Sequence, residues 1–231
     1  MNIKITELRP GDKVLSKINI GLENYDMPLI ILGPSQSNNS VILLSEKGLM
    51  AARMSIGSNP DDYFSSDIDR FLNADFLIEY ISESLNHVLV GTRVTAHERH
   101  SGVERDALRK VFLPSMYELG YSDHVREGLN YGVPCAVWQQ AVSVRKNAPT
   151  RYWTRSVGGG RFLTISSRGL PSMAESVASY YASLRPCFSV SVRTEVAPVL
   201  AGSAGLCYKI VGMKEERRIV QEDLFVRLMT L

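Results

Sequence analysis

Three consecutive glycines, Gly158–Gly160, separate two strand-like runs, "RYWTRS" and "RFLTISS". Tight turns between antiparallel strands favour glycine because their central positions need a positive φ. A phosphate-binding loop would need a helix directly after the glycines, whereas a strand-like run follows here. The sequence therefore predicts a β-hairpin over residues 151–167, which commits this region of the chain to a sheet.

The chain before this hairpin is predicted to combine strands with one short helical region. Residues 1–58 hold short apolar runs that are rich in β-branched residues and bounded by turn residues, a pattern typical of buried strands. A helix is predicted to begin after Ser66, whose hydroxyl can cap the first turn with Asp69 three residues later. A second helical turn is predicted over residues 75–81. Residues 91–109 are polar and are predicted to be mostly loop.

The chain after the hairpin returns to strand-like sequence and then changes character. Residues 187–196, "CFSVSVRTEV", alternate between apolar and polar side chains, which predicts a strand buried on one face only. Residues 133–144 are compatible with either a helix or a strand. Residues 198–231 combine a small-residue linker, the charged run "KEERR" and an apolar end. This pattern predicts a C-terminal extension that acts as an assembly arm.

Length and composition favour one globular domain with an appendage. The chain has 231 residues, of which 45% are hydrophobic and 22% charged, and these values are usual for soluble proteins. We therefore expect residues 1–197 to form one domain, which includes the β-rich residues 1–58. The extension over residues 198–231 follows it.

Several classes of function are disfavoured by the motifs. The three cysteines, Cys135, Cys187 and Cys207, are far apart, so neither a disulfide framework nor a zinc site is expected. The "HERH" motif at residues 97–100 lacks the H-E-x-x-H spacing of metalloproteases and is interpreted as a solvated loop. No G-x-S-x-G motif is present. We expect a protein without enzymatic activity, bound metal or cofactor.

Terminal sequence and charge restrict the expected partners. The first residues lack the apolar segment of a secretory signal, and no apolar run is long enough to span a membrane. The net charge of +2 is too small to indicate nucleic acid. The charge is nevertheless unevenly distributed. Arg70 is the only base between Pro60 and His87, where the other charged residues are acidic, and Glu175 is the only acid between Arg145 and Arg193. Two interpretations stay open: solvated faces, or complementary docking surfaces between subunits.

Five motifs occur in one order along the chain, namely "SSDIDRFLN", "VFLPSMYELG", "RYWTRS", "FLTISSRG" and "LRPCFSVSV". Together they resemble an uncharacterised domain family of bacteria and their phages. Its pattern runs roughly S-D-I-x-x-x-L-N, V-F-L-L-S-x-x-E, Y-W-L-R-S, a glycine-containing strand and R-P-A-x-x-L. The resemblance covers about residues 10–195.

The second half also resembles the core shared by C-type lectins and formylglycine-generating enzymes. This resemblance implies an α+β fold with an irregular antiparallel sheet and one or two helices, on which variable loops bind proteins or glycans. The enzyme would need a reactive cysteine pair, which Cys187 and Cys207 do not supply. Calcium-dependent sugar binding would need an acidic loop near the last strands, where this chain is basic. The resemblance therefore implies the fold and neither chemistry.

Two regions supply candidate ligand-binding residues. Trp153 and Arg155 either contact a ligand or belong to the scaffold, with Trp153 in the core and Arg155 bound to a carbonyl or carboxylate. Arg168 follows the second strand of the hairpin. Tyr180 and Tyr181 lie in the Ser/Tyr-rich "SVASYYASLRP", a composition typical of adaptable binding loops. Neighbours on an extended strand point to opposite faces, so at least one of these tyrosines is expected to be exposed.

These observations lead us to expect a non-enzymatic structural protein of a bacteriophage virion. It would be a decoration, fibre, tail or baseplate-associated protein that displays a lectin-like domain, with host attachment as a candidate role. We expect it to be made in the host cytoplasm and to form homo-oligomers. Its expected partners are other virion proteins and a host surface glycan or protein, and neither nucleic acid nor a membrane. The alternative is a soluble bacterial carbohydrate- or peptide-binding module, and an enzyme of the formylglycine-generating type is a third hypothesis.

Overall fold

The computed structural model describes residues 1–20, 23–35, 37–57, 59–121, 150–174, 176–201 and 205–211. These residues form three sheets and two short α-helices, together with two single helical turns. The predicted α+β class is confirmed, and the fold is mostly sheet. Within the described ranges of the chain, no helix combines the length and the apolar character that a membrane crossing needs.

The strands are β1 (Ile3–Lys4), β2 (Lys13–Ile20), β3 (Glu23–Pro34), β4 (Ser40–Ser45), β5 (Ala51–Ala52), β6 (Thr92–His97), β7 (Glu104–Arg109), β8 (Val111–Phe112), β9 (Tyr152–Gly158), β10 (Arg161–Ile165), β11 (Pro171–Met173), β12 (Ala182–Ser183), β13 (Cys187–Ser191), β14 (Glu195–Leu200) and β15 (Leu206–Val211). The α-helices are α1 (Asp67–Asn73) and α2 (Glu83–Val88). The single turns are a 3₁₀ turn (Ile5–Glu7) and a π-helical turn (Phe76–Tyr80).

The largest sheet has eight strands in the order β1-β14-β15-β2-β3-β4-β13-β8. Its neighbouring strands are antiparallel except for β15 and β2, which run parallel.

The predicted β-structure of residues 1–58 is confirmed. The predicted linker after residue 198 is wrong at its start, because β14 continues to Leu200 and pairs with β15. The extension therefore begins inside this sheet. Its role as an assembly arm stays a prediction. Residues 212–231 of the extension lie outside the described residues.

The second sheet has five strands in the order β11-β10-β9-β12-β5 and contains the predicted hairpin. Gly159 and Gly160 occupy the turn between β9 and β10 with φ values of 56° and 72°. Both values require the left-handed region, which only glycine adopts without strain. The predicted glycine turn is therefore confirmed, and the physical reason for two of the three glycines is their backbone conformation.

The third sheet is the hairpin of β6 and β7, and here the predicted loop over residues 91–109 is wrong. Thr92, Val94 and Ala96 are buried along β6, whereas nearly all of β7 faces solvent. Charged residues on the outer face pair across the strands, as Arg93 does with Asp106. The charged β7 and the buried polar residues Thr95 and His97 of β6 make the segment polar in composition, so the buried strand does not stand out in the sequence.

The predicted helix start at Ser66 is confirmed. The Ser66 hydroxyl accepts a hydrogen bond from the Asp69 backbone N–H at 3.2 Å, and α1 begins at the next residue. Ile68 and Leu72 are buried on one face of α1. The predicted second helical turn is the π-helical turn that ends at Tyr80.

The strand β13 is buried on both faces, so the prediction of a half-buried strand is wrong. Phe188 and Val190 share one face, and the Phe188 ring lies 6.4 Å from the ring of Phe76 in the helical region. Cys187 and Ser189 on the opposite face are also fully buried. This face is also covered by the protein, and its side chains are small. Alternation in the sequence therefore reflects side-chain size and not exposure.

Asp67, the first residue of α1, binds residues 55 and 56 through its side chain. Its carboxylate accepts hydrogen bonds from the Ile56 N–H and the Ser55 hydroxyl, both at 2.8 Å. These bonds lower the pKa of Asp67, with the Ile56 N–H as the largest cause and the Ser55 hydroxyl next. The folded state therefore favours the charged carboxylate.

We predict that Asp67→Asn lowers the free energy of unfolding at pH 7 by about 1 kcal/mol. Because folding lowers this pKa, the stabilisation is present above the unfolded-state pKa and is lost as the pH falls through the folded-state pKa. The difference between the wild type and the variant should therefore shrink below about pH 4 in urea unfolding curves.

Asp75→Asn is the matched control, because Asp75 precedes the π-helical turn without a side-chain capping bond. We expect it to change the free energy of unfolding by less than about 0.5 kcal/mol. A difference for Asp67→Asn that stays constant down to pH 2 would contradict this account.

Candidate functional site

Trp153 lies in the core. Its side chain is fully buried on β9, and its Nε1–H donates a hydrogen bond to the backbone oxygen of Ala52 at 2.8 Å. The ring meets Tyr180 edge to face, with 5.7 Å between centroids. Of the two interpretations of Trp153, its burial therefore supports the scaffold one.

Arg155 is also buried, at 1% exposure, and binds protein groups on several elements. Its Nε–H donates to the Thr95 backbone oxygen at 2.9 Å, and Nη1 donates to the Leu113 backbone oxygen at 2.7 Å. Both terminal nitrogens also bind the Glu118 carboxylate, at 2.6 and 2.7 Å. A guanidinium held in this bidentate way is fixed in position. These contacts support a structural role for Arg155 as well.

A second buried arginine, Arg185, lies directly before β13. Its Nε–H donates to the Ser45 backbone oxygen at 2.8 Å, and its guanidinium lies 5.2 Å above the Tyr152 ring. Burial raises the pKa of Tyr152, and the charge of Arg185 partly opposes that effect. The phenol therefore stays protonated throughout the physiological range, and both side chains belong to the interior.

The remaining candidate residues lie nearer the surface. Arg168 is exposed in the turn after β10. Tyr180 is half-buried, with the Arg151 guanidinium 5.3 Å from its ring centre. Tyr181 is 56% exposed, and the Arg53 guanidinium lies 4.6 Å from its ring centre. The expectation that at least one tyrosine is exposed is confirmed.

The five candidate residues do not converge on one site. Trp153 and Tyr180 are in contact, but the Arg155 side chain binds Thr95, Leu113 and Glu118 instead. The residues with surface available to a ligand are Arg168 and the two tyrosines.

A cleft of about 450 Å³ lies beside the glycine turn, and the sequence did not reveal it. Small-molecule sites in proteins have volumes in this range. Four chain segments line it: Ile56, Gly57 and Asn59; Arg99 and His100; Gly159, Gly160, Arg161 and Phe162; and Ala174, Ser176, Val177 and Ala178. We call this space the glycine-turn cleft.

The cleft has an apolar floor and a polar rim. Phe162, Ala174 and Val177 are buried, whereas His100 and Arg161 are exposed. Its described lining contains arginine and histidine but no aspartate or glutamate. Glu175 lies outside the described residues. The described rim is therefore basic.

Arg99 joins two turns at the edge of the cleft. Its Nε and Nη2 both donate to the Gly160 backbone oxygen, at 3.1 and 2.9 Å. Its Nη1 donates to the Pro60 backbone oxygen at 3.1 Å and to the Asn59 side-chain oxygen. The turn between β6 and β7 is thereby fixed against the turn between β9 and β10, and the cleft between them is a formed feature of the fold.

The two histidines of "HERH" lie in different surroundings. His97 is buried at the end of β6, and burial lowers its pKa, with Glu104 opposing the effect. His100 is exposed on the cleft rim. Across the described ranges, no group of three or more His, Cys, Asp or Glu side chains is placed to hold a metal ion. The predicted solvated loop is therefore correct for His100 but wrong for His97.

Comparison with known proteins identifies one family. Residues 38–192, about two thirds of the chain, match DUF6273, which is described as a domain of unknown function. No curated protein and no solved structure matches the chain. The matched region contains every segment that lines the glycine-turn cleft.

We predict that Trp153→Ala lowers the free energy of unfolding by about 3–5 kcal/mol, because it leaves a cavity where a large buried ring packs. Tyr181→Ala is the matched control, because Tyr181 is an exposed aromatic residue next to Tyr180, which contacts Trp153. We expect this change to lower the free energy of unfolding by about 1 kcal/mol or less. Urea unfolding followed by circular dichroism measures both changes. If Trp153→Ala unfolds at the urea midpoint of the wild type, the scaffold role is wrong.

Proposed function

We propose that this chain, which belongs to the DUF6273 family, is a non-enzymatic bacteriophage virion protein that displays a lectin-like binding domain. In this proposal it is a decoration, fibre, tail or baseplate-associated component that recognises a host surface. The glycine-turn cleft and the exposed Tyr181 beside Arg53 are its binding surfaces. The virion setting rests on the resemblance of the ordered motifs to a domain family of bacteria and their phages.

The observation that carries the binding role is the arrangement of loops on a fixed support. The cleft is lined by turns and connecting segments. The strand β9, which leads into the glycine turn, carries the buried side chains of Trp153 and Arg155. Binding residues lie disproportionately on loops that a rigid framework positions. The tyrosine-containing segment 176–181 also borders the cleft, because Ser176 and Ala178 line it. This arrangement supports the lectin-like interpretation of the fold.

The content of the cleft favours binding over chemistry. A hydrolytic or transfer site needs a nucleophile or a general acid and base within reach of each other. The described lining holds no cysteine and no carboxylate, and His100 is its one histidine. Arginine, asparagine and serine side chains are instead groups that fix a bound ligand by hydrogen bonds.

Assembly through the C-terminal extension is the second half of the proposal. Leu200 and Leu206 face each other across the end of the β14–β15 hairpin and are 87% and 59% exposed. Exposed apolar pairs of this kind are typical of interaction surfaces when they join a larger patch. We propose that neighbouring copies or other virion proteins cover this hairpin end.

We predict that immunogold electron microscopy of phage particles from the producing bacterium, with antibody to this chain, places gold at one fixed position on head, tail or baseplate. Each particle class should carry label at the same site because structural components occupy defined symmetry positions. Particles of a phage whose gene for this chain has been deleted are the control, and they should carry no gold label.

Unlabelled particles, together with free protein in the lysate, would contradict the virion proposal. The alternative, a soluble carbohydrate- or peptide-binding module, would then be favoured. The same cleft serves that alternative, since a binding module acts as an isolated domain.

A further inference from the structure

We propose that the glycine-turn cleft binds an acidic sugar, with the anionic group of the saccharide held by Arg99, His100 and Arg161. This inference rests on the proposed function in treating the cleft as the binding site of a display domain. It adds the chemical class of the ligand, which the family description does not contain.

The charges at the rim are the first support. Ion pairs neutralise the other arginines of the β6–β7 hairpin, as Arg93 pairs with Asp106 and Arg105 pairs with Glu98 at 2.5 Å. No described carboxylate forms an ion pair with Arg99 or Arg161. The hairpin therefore neutralises its outer face but leaves the positive charge at the cleft without a paired carboxylate among the described residues.

The hydrogen bonds of Arg99 are the second support. Its partners are the neutral oxygens of Gly160, Pro60 and Asn59, so the guanidinium is held in place while its charge stays uncompensated by an ion pair. Burial lowers the pKa of Arg99, and Asp61 opposes that effect, but an arginine keeps its proton in proteins. A partly buried cation attracts an anion more strongly than a solvated one because the effective dielectric constant is lower.

Arg161 supplies a donor that protein groups leave available. It is the first residue of β10, it is exposed, and no described group accepts a hydrogen bond from its side chain. A guanidinium can bind a carboxylate, sulfate or phosphate through two N–H groups at once. Arg161 and the fixed Arg99 therefore lie on the rim of one cleft as two donors for an anionic group.

The shape and polarity of the cleft favour a sugar as the carrier of that group. Ile56, which is 71% exposed, gives the lining an apolar surface against which the C–H face of a sugar ring packs. Asn59 and Ser176 supply hydrogen-bonding groups for hydroxyls. The aromatic ring of the lining, Phe162, is buried, so the described cleft offers no exposed ring for stacking a nucleic-acid base.

Isothermal titration calorimetry with matched charged and neutral trisaccharides tests this inference. The probes are trigalacturonic acid and its trimethyl ester, which differ only in charge, together with a sialic acid trimer. We expect at least one acidic trimer to bind, and its affinity to fall as salt concentration rises. If trigalacturonic acid is that trimer, the affinity of its ester should be lower by a factor of at least about ten.

Two pairs of variants locate the binding in the cleft. Arg161→Gln should weaken binding of the acidic trimer about tenfold, whereas Arg193→Gln, which removes an exposed arginine at the β13–β14 turn, should leave it unchanged. Gly57→Trp should abolish binding by filling the cleft, whereas Gly57→Ala should retain it. A Cβ at Gly57 meets no atom within 4 Å, so Gly57→Ala is expected to leave the fold unchanged, and urea unfolding checks that Gly57→Trp is folded.

Three results would overturn the inference. The first is that no acidic trimer binds, or that trigalacturonic acid and its ester bind equally. The second is that triglutamate or inorganic phosphate binds as tightly as the acidic trimer, which would indicate an acidic peptide or a free anion as the ligand. The third is an acidic trimer that binds Arg161→Gln as well as the wild type. Gold-labelled virions together with any of these results would leave the proposed function standing and remove only the acidic sugar.

Discussion

The buried guanidinium of Arg155 joins the three sheets of this protein at one point. Arg155 itself belongs to β9 in the five-stranded sheet, and it donates to Thr95 on β6 of the two-stranded sheet. It also donates to Leu113, the residue that follows β8 of the eight-stranded sheet. Burying such a charge is unfavourable unless a partner offsets the loss of hydration, and the bidentate Glu118 carboxylate provides that partner. One side chain and its acid therefore contact elements of all three described sheets.

The same strand uses neighbouring positions for further connections. The Arg155 N–H donates to Pro114, and the Ser156 hydroxyl accepts from the Met116 N–H at 2.8 Å. Trp153 reaches β5 through Ala52. A strand bound on so many sides offers a ligand little surface, and it gives the loops at its end a fixed base. Trp153 and Arg155, which make "RYWTRS" resemble a binding motif, thus lie inside the protein, and Arg151 is half-buried. The partly buried Arg99 and the exposed Arg161 carry positive charge at the neighbouring cleft.

The regions of the fold that local chemistry determines were predictable from the sequence. Two glycines with positive φ define the β9–β10 turn, and the Ser66 hydroxyl defines the start of α1. The β6–β7 hairpin was not predictable in this way, because β7 is mostly exposed and charged and the buried positions of β6 include the polar Thr92, Thr95 and His97. The exposure of β13 depends on which elements cover it, and alternation along a single strand does not contain that information. Each of these errors has a tertiary cause.

The candidate site was less predictable than the fold for a related reason. The glycine-turn cleft is assembled from four segments, and Arg99 lies 61 residues away in sequence from its partner Gly160. The three glycines and "HERH" are motifs within those segments, but neither motif indicates that the segments meet at one cleft. For Trp153 and Arg155, the sequence left scaffold and ligand contact open because a strand pattern does not say which face is covered. The burial of both side chains supports the scaffold interpretation.

Native-state hydrogen exchange, compared between the wild type and the double variant Arg155→Met with Glu118→Gln, tests the joining role most directly. The double variant removes the connection without leaving a buried charge unpaired. In the wild type, the most protected amides of β4, β6 and β10 should share one free energy of opening, because the three sheets open together. In the double variant, the β6 amides should open at a lower free energy than those of β4. Independent opening of β6 in the wild type, or a common opening that survives the double substitution, would contradict the account.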